Sequence, residues 1–346
     1  MIGDRRLREA FADQARACRS LGSPFMGRLC DLLSQRLRRG TPLTDRLFDW
    51  EGMLGPQDAS VPLRLCGALH ALRLNGHAGL DAVYPPATAK PSELWAAVEG
   101  ALTSEADFIA RFIDSAPQMN EVRRSAAIIP AAHVAAARFP LPFDVAELGA
   151  SAGLNLIWDR FRLQAGEVVL GPDAPVLDLA PHWTGPVPVK QDISVVRREG
   201  VDLNPLDPGD PDDRLRLMAY LWPDQPDRLA LTQAAIAAAG AKVTRADAID
   251  WLERWLLRPS EGRLRFIYST IAWQYFPPAA QVRGTRLIEA AGARARTDAP
   301  LAWFSMESDG SQPGAVLTLR LWPGDQVLAL GRADFHGRWI DWSGRA

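Results

Sequence analysis

Glu147, Gly149, Ser151 and Gly153 stand at alternate positions within Phe143 to Trp158, FDVAELGASAGLNLIW. Their types fit two chemistries. An acid ahead of a turn of small residues, with Ala150 filling in, suits a nucleotide-type ligand site. The glycines let the backbone turn sharply and come close to a ligand, and a following helix end offers unpaired N–H groups. Gly149-x-Ser151-x-Gly153 is equally the nucleophile-elbow pattern, in which an exposed serine attacks an acyl group. Both readings need a strand before the turn and a helix after it. Val145 to Leu148 read as a short buried strand. Leu154 onward, with Leu156, Ile157 and Phe161, reads as the start of an amphipathic helix.

The elements that must position these residues change character along the chain. Up to about residue 140 the apolar periods are helical: Leu7, Phe11, Ala15 and Cys18, then Phe25, Leu29, Leu32, Leu33 and Leu37 behind a Ser23 cap and a first-turn Pro24. Val61 to Leu72 makes a third helix ended by Asn75-Gly76, and others are expected over 92–101, 104–113 and 120–137. Pro140 and Pro142 break the chain, so the expected domains are a helical 1–140 and an α/β 141–346. In the second, strands are expected at 145–148, 193–202, 242–245, 265–268 and 301–306, with helices between them and an insertion at about 163–190 holding a small hairpin. Val316–Leu321 and Val327–Leu330 complete the sheet as an antiparallel pair turned near Pro323-Gly324. This order implies a doubly wound, mostly parallel α/β sheet with helices on both faces.

Composition narrows the classes. A net charge of −2 argues against a general nucleic-acid binder. Cys18, Cys30 and Cys66 lack C-x-x-C spacing, and an odd number suits a reducing compartment. The most apolar run, Ala126 to Phe139, is interrupted by Pro130 and His133 and does not read as a membrane span. The charged N-terminus lacks a signal core, so a cytoplasmic protein is expected. His70, His77, His133, His182 and His336 show no metal-ligand spacing, and no metal is expected.

Three acids following three strands carry a resemblance. Glu147-x-Gly149-x-Ser151-x-Gly153 resembles the first motif of class I S-adenosylmethionine-dependent methyltransferases, with Ser at the middle glycine and Glu where Asp is more usual. Gly200-Val-Asp202 resembles the end of strand two in those enzymes, where the acid holds ribose hydroxyls; a carboxylate accepts from two hydroxyls at once. The separation from Glu147 is 202 − 147 = 55 residues, against the ~20 of the dinucleotide rule, and the 163–190 insertion absorbs the excess. Asp247-Ala248 resembles the pair that faces the adenine amino group, although Asp247 also reads as a helix N-cap. Trp273 and Tyr275 follow strand four, where the resemblance puts the methyl acceptor; core packing explains them equally well.

Almost the whole chain also resembles an uncharacterised bacterial family classed as a domain of unknown function. The residues that carry this are Asn120-Glu-Val-Arg-Arg-Ser125, Glu147 to Asn155, Asp202 to Asp207, Ala246 to Trp251, Tyr275-Phe-Pro-Pro278 and His336-Gly337 with Trp339 and Trp342. It implies a methyltransferase-like sheet behind a helical N-terminal domain. Asn120, Arg124 and His336 become substrate-side candidates through it. Spacing of four puts Asn120 and Arg124 on one helix face, suited to a substrate carboxylate or phosphate or to a cap and a structural ion pair.

The expectation is methyl transfer from S-adenosylmethionine to a small molecule, with a non-catalytic S-adenosylmethionine or nucleoside binder as the second reading. A Ser151–Asp309–His336 hydrolase is the third. It lacks an HGGG-type segment and the strands that normally precede an elbow, and it leaves Glu147, Asp202 and Asp247 without a purpose.

Overall fold

The computed structural model describes residues 2–55 and 58–344. Its helices are α1 (Ile2–Ser20), α2 (Pro24–Arg36), α3 (Pro42–Phe48), α4 (Val61–Leu74), α5 (Ala78–Asp81) and α6 (Pro91–Ser104). They continue with α7 (Ala106–Phe112), α8 (Ser125–Arg138), α9 (Pro211–Ala219), α10 (Pro226–Ala238), α11 (Ala248–Leu256) and α12 (Pro278–Gly292). Ser23 accepts from the Met26 N–H and Pro24 opens α2, so the cap read from the sequence is made.

The chain divides into two compact units, Met1–Met119 with Gly209–Ala230, and Asn120–Pro208 with Leu231–Ala346. The first is helical. Leu7, Phe11, Ala15 and Cys18 of α1 share its core with Phe25, Leu29, Leu65 and Leu69, all at 4% exposure or less. Residues 209–230 belong to this core for physical reasons. Tyr220 lies over Gly67, where a Cβ would meet its ring at 2.5 Å. Asp224 accepts from the Phe25 N–H and from Ser23 Oγ at the start of α2. The expected boundary at 140 falls inside the second unit, because α8 is grouped with the sheet.

The second unit is built on β1 (Phe143–Leu148), β2 (Val195–Asp202), β3 (Lys242–Arg245), β4 (Leu264–Thr270), β5 (Leu301–Glu307), β6 (Ala315–Trp322), β7 (Gln326–Ala333) and β8 (Trp339–Trp342). Among the described residues these form a nine-stranded sheet in the order β3-β2-β1-β4-β5-β6-β7-β8, closed by the short strand His182–Thr184. Pairings from β3 to β5 are parallel, and β5 to β8 run antiparallel. β1 and β4 are buried along their whole length, as central parallel strands are. The insertion holds a three-stranded sheet (Phe161–Ala165, Val168–Leu170, Leu177–Leu179) in place of a lone hairpin.

Two expectations fail locally. The helix expected from Leu154 is a short 3-10 segment, Leu154–Arg160, interrupted at Ile157. Leu154 through Trp158 are buried throughout, so no polar face exists for a surface helix to turn outward. Asn120 does not share a helix face with Arg124: a 3-10 turn spans Val122–Arg124, and α8 starts only at Ser125. No described helix is long and apolar enough to cross a membrane.

Candidate functional site

In the order β3-β2-β1-β4-β5 the chain runs outward from β1 in both directions, so the reversal lies between β1 and β4. Open parallel sheets bind ligands outside the carboxyl ends of their strands at such a point. Glu147 and the 149–153 turn end β1, Asp202 ends β2, Asp247 follows β3, and Thr270 ends β4. The structure brings these to one edge. Gly149 and Ala150 N–H groups both donate to Val201 O, and Ala246 N–H donates to Asp202 O.

The turn depends on its small residues. Gly149 has φ +75, and a Cβ there would meet Ala272 Cβ at 2.5 Å. Ser151 takes φ +52 without being glycine. Its strain is held by Asp202, whose Oδ2 accepts from the Ser151 N–H at 2.8 Å. The other oxygen of Asp202 accepts from the Asn204 N–H at 2.9 Å. Each carboxylate oxygen has a second lone pair, so two acceptor sites remain on a half-buried group.

Glu147 lies between Gly200 of β2 and Tyr268 of β4 in register and is 2% exposed. The Tyr268 hydroxyl is 3.3 Å from Glu147 Oε2 and 3.0 Å from Asn155 O, one proton facing two acceptors. Burial pushes the Glu147 carboxyl well above the usual range, and the Asp202 charge adds to this. The shift favours the protonated form of Glu147, which would supply the second proton.

Asn120 Oδ1 accepts from the Leu154 N–H at 2.8 Å, and Asn155 bridges Ser125 Oγ and Glu121 O. Arg124 donates to Thr270 O at 3.1 Å and to Phe335 O at 2.9 Å. This fastens residues 120–125 to the turn, to the end of β4 and to the loop after β7. In that loop a Cβ at Gly337 would meet Arg123 O at 2.4 Å. His336 is 6% exposed there, and its N–H donates to Asp334. Asp247 caps α11 through the Ile249 and Asp250 N–H groups, and Ala248 is buried beside it. Trp273 packs against Phe276 and Trp303, whereas Tyr275 is 62% exposed.

The serine-nucleophile arrangement is not assembled on Asp309. That acid is held by Arg332 and Ser311, and the Ser151 hydroxyl is buried with no hydrogen-bond partner among the described residues.

Sequence reading missed Tyr268 and Glu307. Glu307 ends β5 and accepts from the Ala272 and Trp273 N–H groups, shaping the backbone after β4. Burial pushes its carboxyl up against the pull of these donors. The available signal was an acid closing an otherwise apolar strand, the pattern that singled out Glu147.

No curated protein and no solved structure matches the chain. A family model does, from residue 8 to residue 342, so the chain belongs to the bacterial family described as "Uncharacterized protein conserved in bacteria (DUF2332)".

Proposed function

We propose that the carboxyl edge of β1, β2 and β4 binds S-adenosylmethionine and supports transfer of its methyl group to a small acceptor. The observation that carries this reading is the bond from the Ser151 N–H to Asp202. It ties the acid after β2 to the glycine turn after β1 at the point where strand order reverses. The lone pairs left on Asp202 suit vicinal ribose hydroxyls, and Gly149 and Gly153 leave room for the amino-acid end of the ligand. An ammonium group arriving near Glu147 favours its ionised form, so binding is expected to release a proton.

Calorimetry in two buffers of different ionisation enthalpy tests both points. S-adenosylmethionine and S-adenosylhomocysteine should bind with proton release. Asp202→Ala should raise the dissociation constant by roughly ten- to a hundredfold, the loss of a charge-assisted hydrogen bond. Tight binding that Asp202→Ala leaves untouched refutes the ribose role, and no binding refutes the site.

A second reading, a binder without chemistry, draws on the state of the edge. Arg124 donates to backbone carbonyls, burial disfavours the charged form of Glu147, and the Ser151 hydroxyl is covered, which leaves no evident general base among these three. Methyl transfer to an acceptor that is already nucleophilic needs only positioning. Formation of S-adenosylhomocysteine in the presence of acceptors separates the two readings.

A further inference from the structure

A cavity of about 490 Å³ lies at the opposite end of the same sheet. Ile129 and His133 of α8, Trp158, Phe161 and the segment Lys190–Ile193 line it. The Trp158 ring lies 6.1 Å from that of Phe143, the first residue of β1, and Ile193 comes two residues before β2 begins. The cavity therefore opens at the amino ends of these strands, roughly 20–25 Å along β2 from Asp202.

Its lining has an unbalanced set of polar groups. His133 is 3% exposed, and its Nδ1 accepts from the Gln191 N–H at 2.9 Å. That bond fixes the tautomer, so the remaining ring nitrogen, Nε2, carries the proton and donates. Burial pushes the imidazole down to about 4, with the Lys190 charge adding to it, so the ring stays neutral near pH 7. Trp158 is 1% exposed, and its indole N–H has no acceptor among the described residues. Lys190 stands exposed at the mouth and adds an ammonium.

Two acids also line the cavity. Asp159 is held through both oxygens by Arg198, and Asp192 is exposed at the mouth beside Lys190. The Trp158 indole N–H is a buried donor without an acceptor among the described residues, which is costly. Ile129, Trp158, Phe161 and Ile193 supply apolar walls, and the volume falls within the ~300–1,000 Å³ of small-molecule sites.

We infer that this cavity is a second binding site, for a small organic monocarboxylate with an apolar or aromatic body. The body covers the Trp158–Phe161 wall, and the carboxylate faces His133 Nε2–H and the Lys190 ammonium. Asp192 offsets the lysine and so disfavours a dianion such as phosphate. The inference does not depend on the methyltransferase reading.

Full-length protein labelled with ¹⁵N-histidine tests it by NMR, with His133 assigned from the missing signal in His133→Gln. Phenylacetate at millimolar concentration should shift the His133 Nε2 resonance, and phenylacetamide and inorganic phosphate should leave it in place. Lys190→Ala, an exposed change compatible with folding, should weaken phenylacetate binding about three- to tenfold. Asp202→Ala should not alter it, which separates this site from the carboxyl edge. The proposal is overturned if phenylacetate, benzoate and hexanoate all leave His133 unmoved. It is equally overturned if phenylacetamide or phosphate binds as well as phenylacetate, or if Lys190→Ala changes nothing.

Discussion

The two ends of the sheet treat their polar groups in opposite ways. At the carboxyl edge, the Ser151 hydroxyl apart, the motif side chains have structural partners: Asp202 holds two backbone N–H groups, Asp247 caps α11, Arg124 grips two carbonyls, and Glu307 shapes the segment after β4. At the amino end the Trp158 N–H lacks an acceptor among the described residues, and His133 uses only Nδ1 in a hydrogen bond there. A side chain at a ligand edge can thus spend most of its hydrogen bonds on shaping backbone. The readier ligand groups can lie where no motif points.

The largest effect should come from filling the turn. Gly149→Val adds a side chain at φ +75 and drives it into Ala272. We expect a loss of about 3–5 kcal/mol in urea unfolding, together with loss of ligand binding. A mild effect would mean that the turn relaxes, and the close-packed edge would then be a poor description.

Titration sharpens the contrast, because the two ends should respond to pH with opposite sign. Glu147 has its folded pKa raised by burial. Its contribution is fully present below its unfolded pKa of about 4.5 and is lost as pH rises toward the folded value. His133 is depressed from 6.5 to about 4. Its neutral form contributes above pH 6.5, and that contribution is lost as pH falls toward 4. Glu147→Gln should therefore gain stability relative to wild type as the pH is raised above about 5, by up to ~1.4 kcal/mol per pH unit. His133→Gln should lose less than wild type between pH 6.5 and 4, a difference of roughly 2–3 kcal/mol at the acid end. Parallel wild-type and variant curves would show that these groups do not titrate as their burial demands.

Arg124→Ala removes two donors from backbone carbonyls and should cost about 1–3 kcal/mol of stability. Its effect on S-adenosylmethionine affinity should be small. A large loss of affinity at full stability would assign the guanidinium to the ligand. Smallest of all, Ser151→Ala should change both stability and binding little, since the hydroxyl has no partner among the described residues. An esterase activity that this change removes would reinstate the nucleophile.

The strands were legible because buried parallel strands are largely apolar, as in Val145–Leu148, interrupted only by Glu147, and Phe266–Tyr268. Caps were legible where type and position coincide, at Ser23 and at Asp247. The Leu154 segment misled because Asn155, which reads as polar and outward in the sequence, is buried with Leu154 to Trp158, so the apparent amphipathic face does not exist. The partnership of Glu147 with Tyr268, 121 residues apart, and that of Glu307 with the backbone 35 residues earlier leave no local mark in the sequence. His133 read only as an interruption of an apolar helix. Its role depends on a backbone N–H 58 residues away.

The return of residues 209–230 to the first unit bears on how the protein is made. Domains commonly fold as they leave the ribosome, the N-terminal one first. Here Ala219, Tyr220 and Trp222 complete a core begun at Leu7, so the first unit must wait until residues 120–208, which carry β1 and β2, have been synthesised. During that interval α1 to α7 expose an unfinished apolar core, and nascent chains shorter than about residue 230 should be the ones that recruit chaperones.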